Sequence, residues 1–198
     1  MRDPRQETLA KNLIRNAVNL QKGEKVWINM TAYDPAMVTA LVEETYAAGG
    51  YPFVVLSDPK IERKLMQGMA ELDKAKMEKM DAYIAIRNAE NIFESVDVPQ
   101  DISAMYNRVY SQPVHMETRL PKTKWVVLRY PSPSMAQQAQ MSTEAFEDFY
   151  FSVCNLDYNK MSKAMDPLKA LMEKTDKVHL KGPGTDLTFS IKGIGAMK

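Results

Sequence analysis

Apolar residues fall along this chain in two rhythms: short unbroken runs, and longer stretches in which they return every third or fourth position. The runs are Val26-Trp27-Ile28-Asn29-Met30, Phe53-Val54-Val55-Leu56, Tyr83-Ile84-Ala85-Ile86 and Lys124-Trp125-Val126-Val127-Leu128-Arg129. Bounded by charged or turn residues, they predict buried strands. The longer rhythm predicts helices. Asp3 and Pro4 form an N-cap pair with Gln6 at the capping-box position, and Leu9, Leu13, Ala17 and Leu20 then repeat until Gly23. Asp34-Pro35 starts a second helix with Met37, Val38, Leu41 and Val42 on one face, ended by Gly49-Gly50. Helical patterning also covers the charged region Pro59 to Met80 and the stripe Ile102, Met105, Tyr106, Val109 and Tyr110.

Apolar strands separated by helical patterns require cover on both faces, which is the pattern of an α/β fold with a mostly parallel, doubly wound sheet. Tyr130-Pro131-Ser132-Pro133 breaks the alternation, and residues 142–174 read as a helical C-terminal region rich in Phe146, Phe149, Tyr150, Phe151 and Tyr158. Two alternating runs then flank Gly182-Pro183-Gly184-Thr185-Asp186, which reads as a hairpin turn. The chain is expected to divide into an α/β domain over 1–175 and, over 176–198, the first hairpin of a second domain.

Composition narrows the partners. The 198 residues carry 26 Lys+Arg against 25 Asp+Glu, a formal charge of +1, too balanced to drive binding to nucleic acid or to an anionic membrane. The single Cys154 rules out an intramolecular disulfide and points to a reducing, cytoplasmic setting. No run reaches the ~20 apolar residues of a membrane span, and no apolar segment follows the charged N-terminus.

Candidate chemistry is sparse. No G-x-G-x-x-G or G-x-x-x-x-G-K-[ST] motif is present, and the glycine-rich turn at Gly182 is interrupted by Pro183 and runs on as a strand. Metal sites need three or more converging donors, yet His115 and His179 stand apart, in no H-x-x-x-H or H-E-x-x-H spacing. Cys154 has no histidine near it in sequence and reads as packing. The carboxylates are mostly interleaved with lysines, as on solvated helix faces. No catalytic or metal-binding residue is therefore assigned. Thr31, Tyr33, Ser57, Asp58 and Arg87 follow the first three strands, where such sheets bind ligands, and would serve a free-standing small-ligand-binding module. Phe146, Phe149, Phe151 and Tyr158 are candidates for an interface with another domain or subunit.

Several segments, in order, carry a resemblance. Arg2-Asp3-Pro4-Arg5 runs into Leu20-Gln21-Lys22-Gly23-Glu24-Lys25-Val26, followed by Ala40-Leu41-Val42-Glu43-Glu44-Thr45-Tyr46-Ala47-Ala48-Gly49. Ala89-Glu90-Asn91-Ile92 and Met135-Ala136-Gln137-Gln138-Ala139-Gln140-Met141-Ser142 come next, then Leu180-Lys181-Gly182-Pro183-Gly184-Thr185-Asp186-Leu187. Together they resemble the thermophilic aminopeptidase family of metallopeptidases, the aminopeptidase T and aminopeptidase S group. The resemblance implies a cytoplasmic homodimer that removes N-terminal residues from peptide substrates with two divalent metal ions, zinc or cobalt. It also implies metal ligands in a C-terminal catalytic domain beyond the hairpin, so none is expected here and this chain is expected to be inactive alone.

Overall fold

Strand β1 (Lys25–Thr31) lies inside the sheet, paired with a strand on either side and with its apolar side chains covered on both faces. The computed structural model describes residues 3–31, 34–65 and 70–197. Parallel to β1 run β2 (Tyr51–Ser57) on one side and β3 (Ala82–Arg87) on the other, and β4 (Lys124–Arg129) pairs with β3. The order is β2-β1-β3-β4, the parallel α/β sheet that the apolar runs require.

Successive residues of a strand face opposite sides, which divides the core in two. Val26, Ile28, Met30, Ile84 and Ile86 point to one face. They meet Leu9 from α1 (Pro4–Lys11), Met37 and Leu41 from α2 (Pro35–Ala47), and Phe146, Tyr150 and Phe151 from α8 (Thr143–Cys154). Trp27, Tyr83 and Ala85 point to the other, against Met77 of α4 (Ala70–Met77) and Val114 of a π-helix, Asn107–Arg119, which α5 (Gln100–Tyr106) and α6 (Leu120–Lys122) flank in the chain; α7 (Pro133–Gln138) follows β4. Each fully buried aliphatic side chain contributes about 1.5–3 kcal/mol. The β1-to-β2 crossover covers one face and the later crossovers the other, as right-handed connections require when the direction of travel across the sheet reverses.

Three local expectations change. The run Phe53 to Leu56 is the edge strand β2, with Phe53 40%, Val54 39% and Leu56 47% exposed, because an apolar run does not reveal whether a strand has one neighbour or two. In the first helix Ala17 is exposed and Val18 buried. Residues Asn12–Ala17 wind as a π-helix, with the Val18 N–H on the Leu13 carbonyl at 3.0 Å, and the wider turn advances the buried stripe by one residue. Phe146 and Phe151, expected at an interface, belong to the sheet's own core, because their positions on α8 face Tyr130 and the first core; Phe149 is 56% exposed. Tyr158 is half-buried.

The chain divides into two compact units between Asn155 and Leu156. The second holds α9 (Tyr158–Lys174) and the antiparallel hairpin of β5 (Lys177–Gly182) and β6 (Thr185–Ser190). Pro183 and Gly184 occupy the turn, and Gly184 has φ +72°, which a type II turn demands at its second central position. Val178, Leu180, Leu187 and Phe189 share one face of the hairpin, and Leu180, Leu187 and Phe189 on it are exposed.

A Cβ on Gly50 would lie 2.7 Å from Leu20 Cδ2 and 3.0 Å from the Glu24 carbonyl oxygen. Gly50→Ala is therefore expected to lose about 1–3 kcal/mol in urea unfolding, since the backbone oxygen cannot yield as a side chain can. In the same assay Phe151→Ala should cost about 3–5 kcal/mol, and the exposed Phe149→Ala within about 0.5 kcal/mol.

Candidate functional site

Parallel sheets bind ligands outside the carboxyl ends of their strands, where strand order reverses. That point lies between β1 and β3. Register places Ser57, Thr31, Arg87 and Arg129 in one row across the carboxyl ends. Thr31 Oγ1 and Ser57 Oγ are 3.2 Å apart, and Ser57 Oγ donates to the Met30 carbonyl at 3.5 Å, so the hydroxyls engage the strands themselves. Arg87 is exposed. Asp58 caps α3 (Pro59–Lys64), its Oδ1 accepting the Lys60 N–H at 2.8 Å. Tyr33 lies outside the described residues. Thr31, Ser57 and Arg87 are thus brought together, while the Asp58 carboxylate serves a helix end.

Beside this row stands a clasp that the sequence did not disclose. Gln6 Nε2 donates to Asp34 Oδ2 at 2.8 Å and to the Tyr130 hydroxyl at 2.6 Å, and that hydroxyl donates to Asp34 Oδ2 at 3.0 Å. The other Asp34 oxygen caps α2 through the Ala36 and Met37 amides at 2.9 and 3.3 Å. Gln6 therefore leaves its capping-box role, and Asp3 caps α1 by accepting the Arg5 N–H at 2.8 Å. Burial first, then the Asp34 carboxylate, pushes the Tyr130 phenol up, so it remains a donor. Amide, carboxylate and phenol satisfy one another, which fastens three segments and leaves no activated nucleophile. Because these residues are far apart in sequence, no local spacing marks them.

The opposite sheet face carries an aromatic row across all four strands, Phe53, Trp27, Tyr83 and Trp125 in register. Cations cover it: Lys76 Nζ sits 3.9 Å from the Trp27 ring centroid, and the Arg119 guanidinium 5.3 Å from that of Tyr83 and 4.7 Å from that of Trp125. Arg119 Nε donates to His115 Nδ1 at 3.2 Å. Tyr110 donates to Asp73 at 2.6 Å, and both burial and this carboxylate push its phenol up. On this side of the sheet Trp27 Nε1 and Asn29 Oδ1 are buried without a hydrogen-bond partner, as is Arg119 Nη1 of the π-helix. The strand runs and the Tyr106–Tyr110 stripe placed its aromatic members in sequence, whereas the part played by Arg119 depends on packing between elements.

The hairpin holds the second histidine. His179 Nε2 lies 2.7 Å from Asp186 Oδ1, on the face opposite Leu180 and Leu187. Cys154 is half-buried against the first core. Among the described residues no three His, Cys, Asp or Glu side chains are grouped to hold a metal ion. The donor set present, one imidazole under Arg119 and another paired with a single carboxylate, does not fit a two-metal centre. No helix described is long and apolar enough to cross a membrane.

Comparison with known proteins agrees with this architecture. The family profile described as thermophilic metalloprotease (M29) matches residues 2–194. A curated relative, "Aminopeptidase PepS" of Streptococcus thermophilus, is 25% identical over 221 residues, covering 93% of this chain and 52% of the relative. The solved structure of wild-type AmpT from Thermus thermophilus superposes with a TM-score of 0.73 at 19% identity, covering 94% of this chain and 53% of that one, and shares the fold. The chain thus spans about half the length of each. With the profile matched from the first helix through the hairpin, this chain belongs to the M29 thermophilic metalloprotease family.

Proposed function

We propose that this chain is the N-terminal α/β part of a metal-dependent aminopeptidase that hydrolyses N-terminal residues from peptides, and that it is inactive alone. The observation that carries the reading is the hairpin β5–β6, whose apolar face stands open with Leu180, Leu187 and Phe189 exposed. A two-stranded hairpin is marginal in water on its own, so further strands are expected to complete it. That is the role of a second domain beginning over 176–198, with α9 as its connection. The two divalent metal ions, zinc or cobalt, belong in this reading to the half of the relatives that the chain does not span.

The α/β domain then supports rather than performs the chemistry, by limiting access of peptides and by contributing to a cytoplasmic homodimer. Of the aromatic candidates Phe149 is the most exposed and the one assigned to such an interface, with the exposed Val153 one turn along the same helix. A second reading, a small-ligand-binding module, rests on the row of Thr31, Ser57 and Arg87 alone.

The denatured mass of the native polypeptide, detected with an antibody to this domain, should lie well above 22.5 kDa. That longer polypeptide should release N-terminal residues from unblocked but not N-acetylated peptides, lose the activity to a chelator, and regain it with zinc or cobalt. A 22.5 kDa band, or turnover by the 198-residue chain itself, overturns the reading. Phe149→Ala in the full polypeptide should lower its elution mass toward that of a monomer; an unchanged mass removes Phe149 from the interface.

A further inference from the structure

The bond between Arg119 and His115 has a fixed direction. A guanidinium carries no acceptor, so Arg119 Nε must donate and His115 Nδ1 must offer a lone pair. The imidazole is therefore neutral, with its proton on Nε2. Its surroundings favour that state. From the π-helix it faces Arg119 and the Tyr110 ring, at 5.8 Å between centroids; from β3 it faces the Tyr83 ring at 6.0 Å and the Arg87 charge. From α4 comes Asp73, whose carboxylate favours the imidazolium but is held by Tyr110 at 2.6 Å. Tyr106 stacks on Tyr110 at 5.1 Å, and the Glu62 charge acts on Tyr83 and Tyr106.

The element that carries His115 is also incompletely satisfied. The π-helix contains Pro113, which donates no backbone hydrogen bond, and its own Arg119 Nη1 is buried with no partner. Arg119 is 7% exposed, and its pairing with neutral His115 is a principal compensation for burying a guanidinium. Protonation at Nδ1 removes that acceptor and sets an imidazolium against Arg119 and Arg87.

We propose that the π-helix Asn107–Arg119 is an acid-released cover, closed while His115 is neutral and lifted from the Trp27–Tyr83 sheet face when His115 takes a proton. Burial first, then Arg119 and Arg87, lowers the His115 pKa from 6.5 to about 4 in the closed state. A lowered histidine pKa stabilises the closed form fully above 6.5, and that contribution is lost as the pH falls from 6.5 through about 4. The opening step releases one hydrogen bond and binds one proton from solvent, with no other reactant.

Hydrogen exchange on the full natural polypeptide tests this directly. After correction for intrinsic exchange rates, protection of amides 107–119 should fall roughly ten- to a hundredfold between pH 7 and 4.5, while amides 25–31 and 82–87 remain protected. In the His115→Asn variant, which keeps an acceptor near Nδ1 but cannot titrate, the profile should be flat. If that variant does not fold, ¹⁵N shifts of the wild-type imidazole decide: Nε2–H and a titration well below 6.5 support the proposal, while Nδ1–H or a titration near 6.5 overturns it. Loss of protection in 25–31 at the same pH as in 107–119 also overturns it, because the event is then global unfolding.

Discussion

Strand β1 is bounded on every side. Both its edges are hydrogen-bonded to parallel neighbours, and its side chains feed two separate cores, Val26, Ile28 and Met30 into one and Trp27 into the other. A strand held in this way fixes the remaining layout: helices must cover both faces, and strand order must reverse beside it. The exposed positions of the sheet are consequently displaced to its edges, where Phe53 on β2 and Trp125 on β4 end the aromatic row.

Patterns spanning a few residues were legible in the sequence. The caps at Asp3 and Asp34, the four strands and the glycine turn at Gly184 follow from spacing and backbone chemistry alone. What escaped depends on neighbours distant in the chain. The edge placement of β2 depends on which strands pair, and the burial of Phe151 on the approach of Tyr130, at 6.2 Å between ring centroids. Phe149 and Phe151 look alike in sequence because both are aromatic, and helix phase alone decides which one is covered. The shift from Ala17 to Val18 arises from a π-helical turn, which no apolar period of 3.6 anticipates.

The polar groups of the α/β unit are largely committed to one another. Asp34 serves a helix cap and a clasp at once, Thr31 and Ser57 share their hydroxyls, and His115 is held by Arg119. Its accessible surface, by contrast, includes apolar side chains such as Phe149 and Val153 on α8.

The clasp at the carboxyl end also orders events in time. Asp34 meets Tyr130 across 96 residues, and Gln6 meets it across 124. During synthesis from the N-terminus, β1, β2 and β3 can emerge and pair while the Asp34 carboxylate and the Gln6 amide still face solvent. Only when the ribosome has released the segment after β4 can the phenol arrive and close the clasp. Until then the first helix is held by its apolar contacts with α2 and the early strands, Leu9 against Met37 and Leu41 among them, and the clasp adds its polar fastening last.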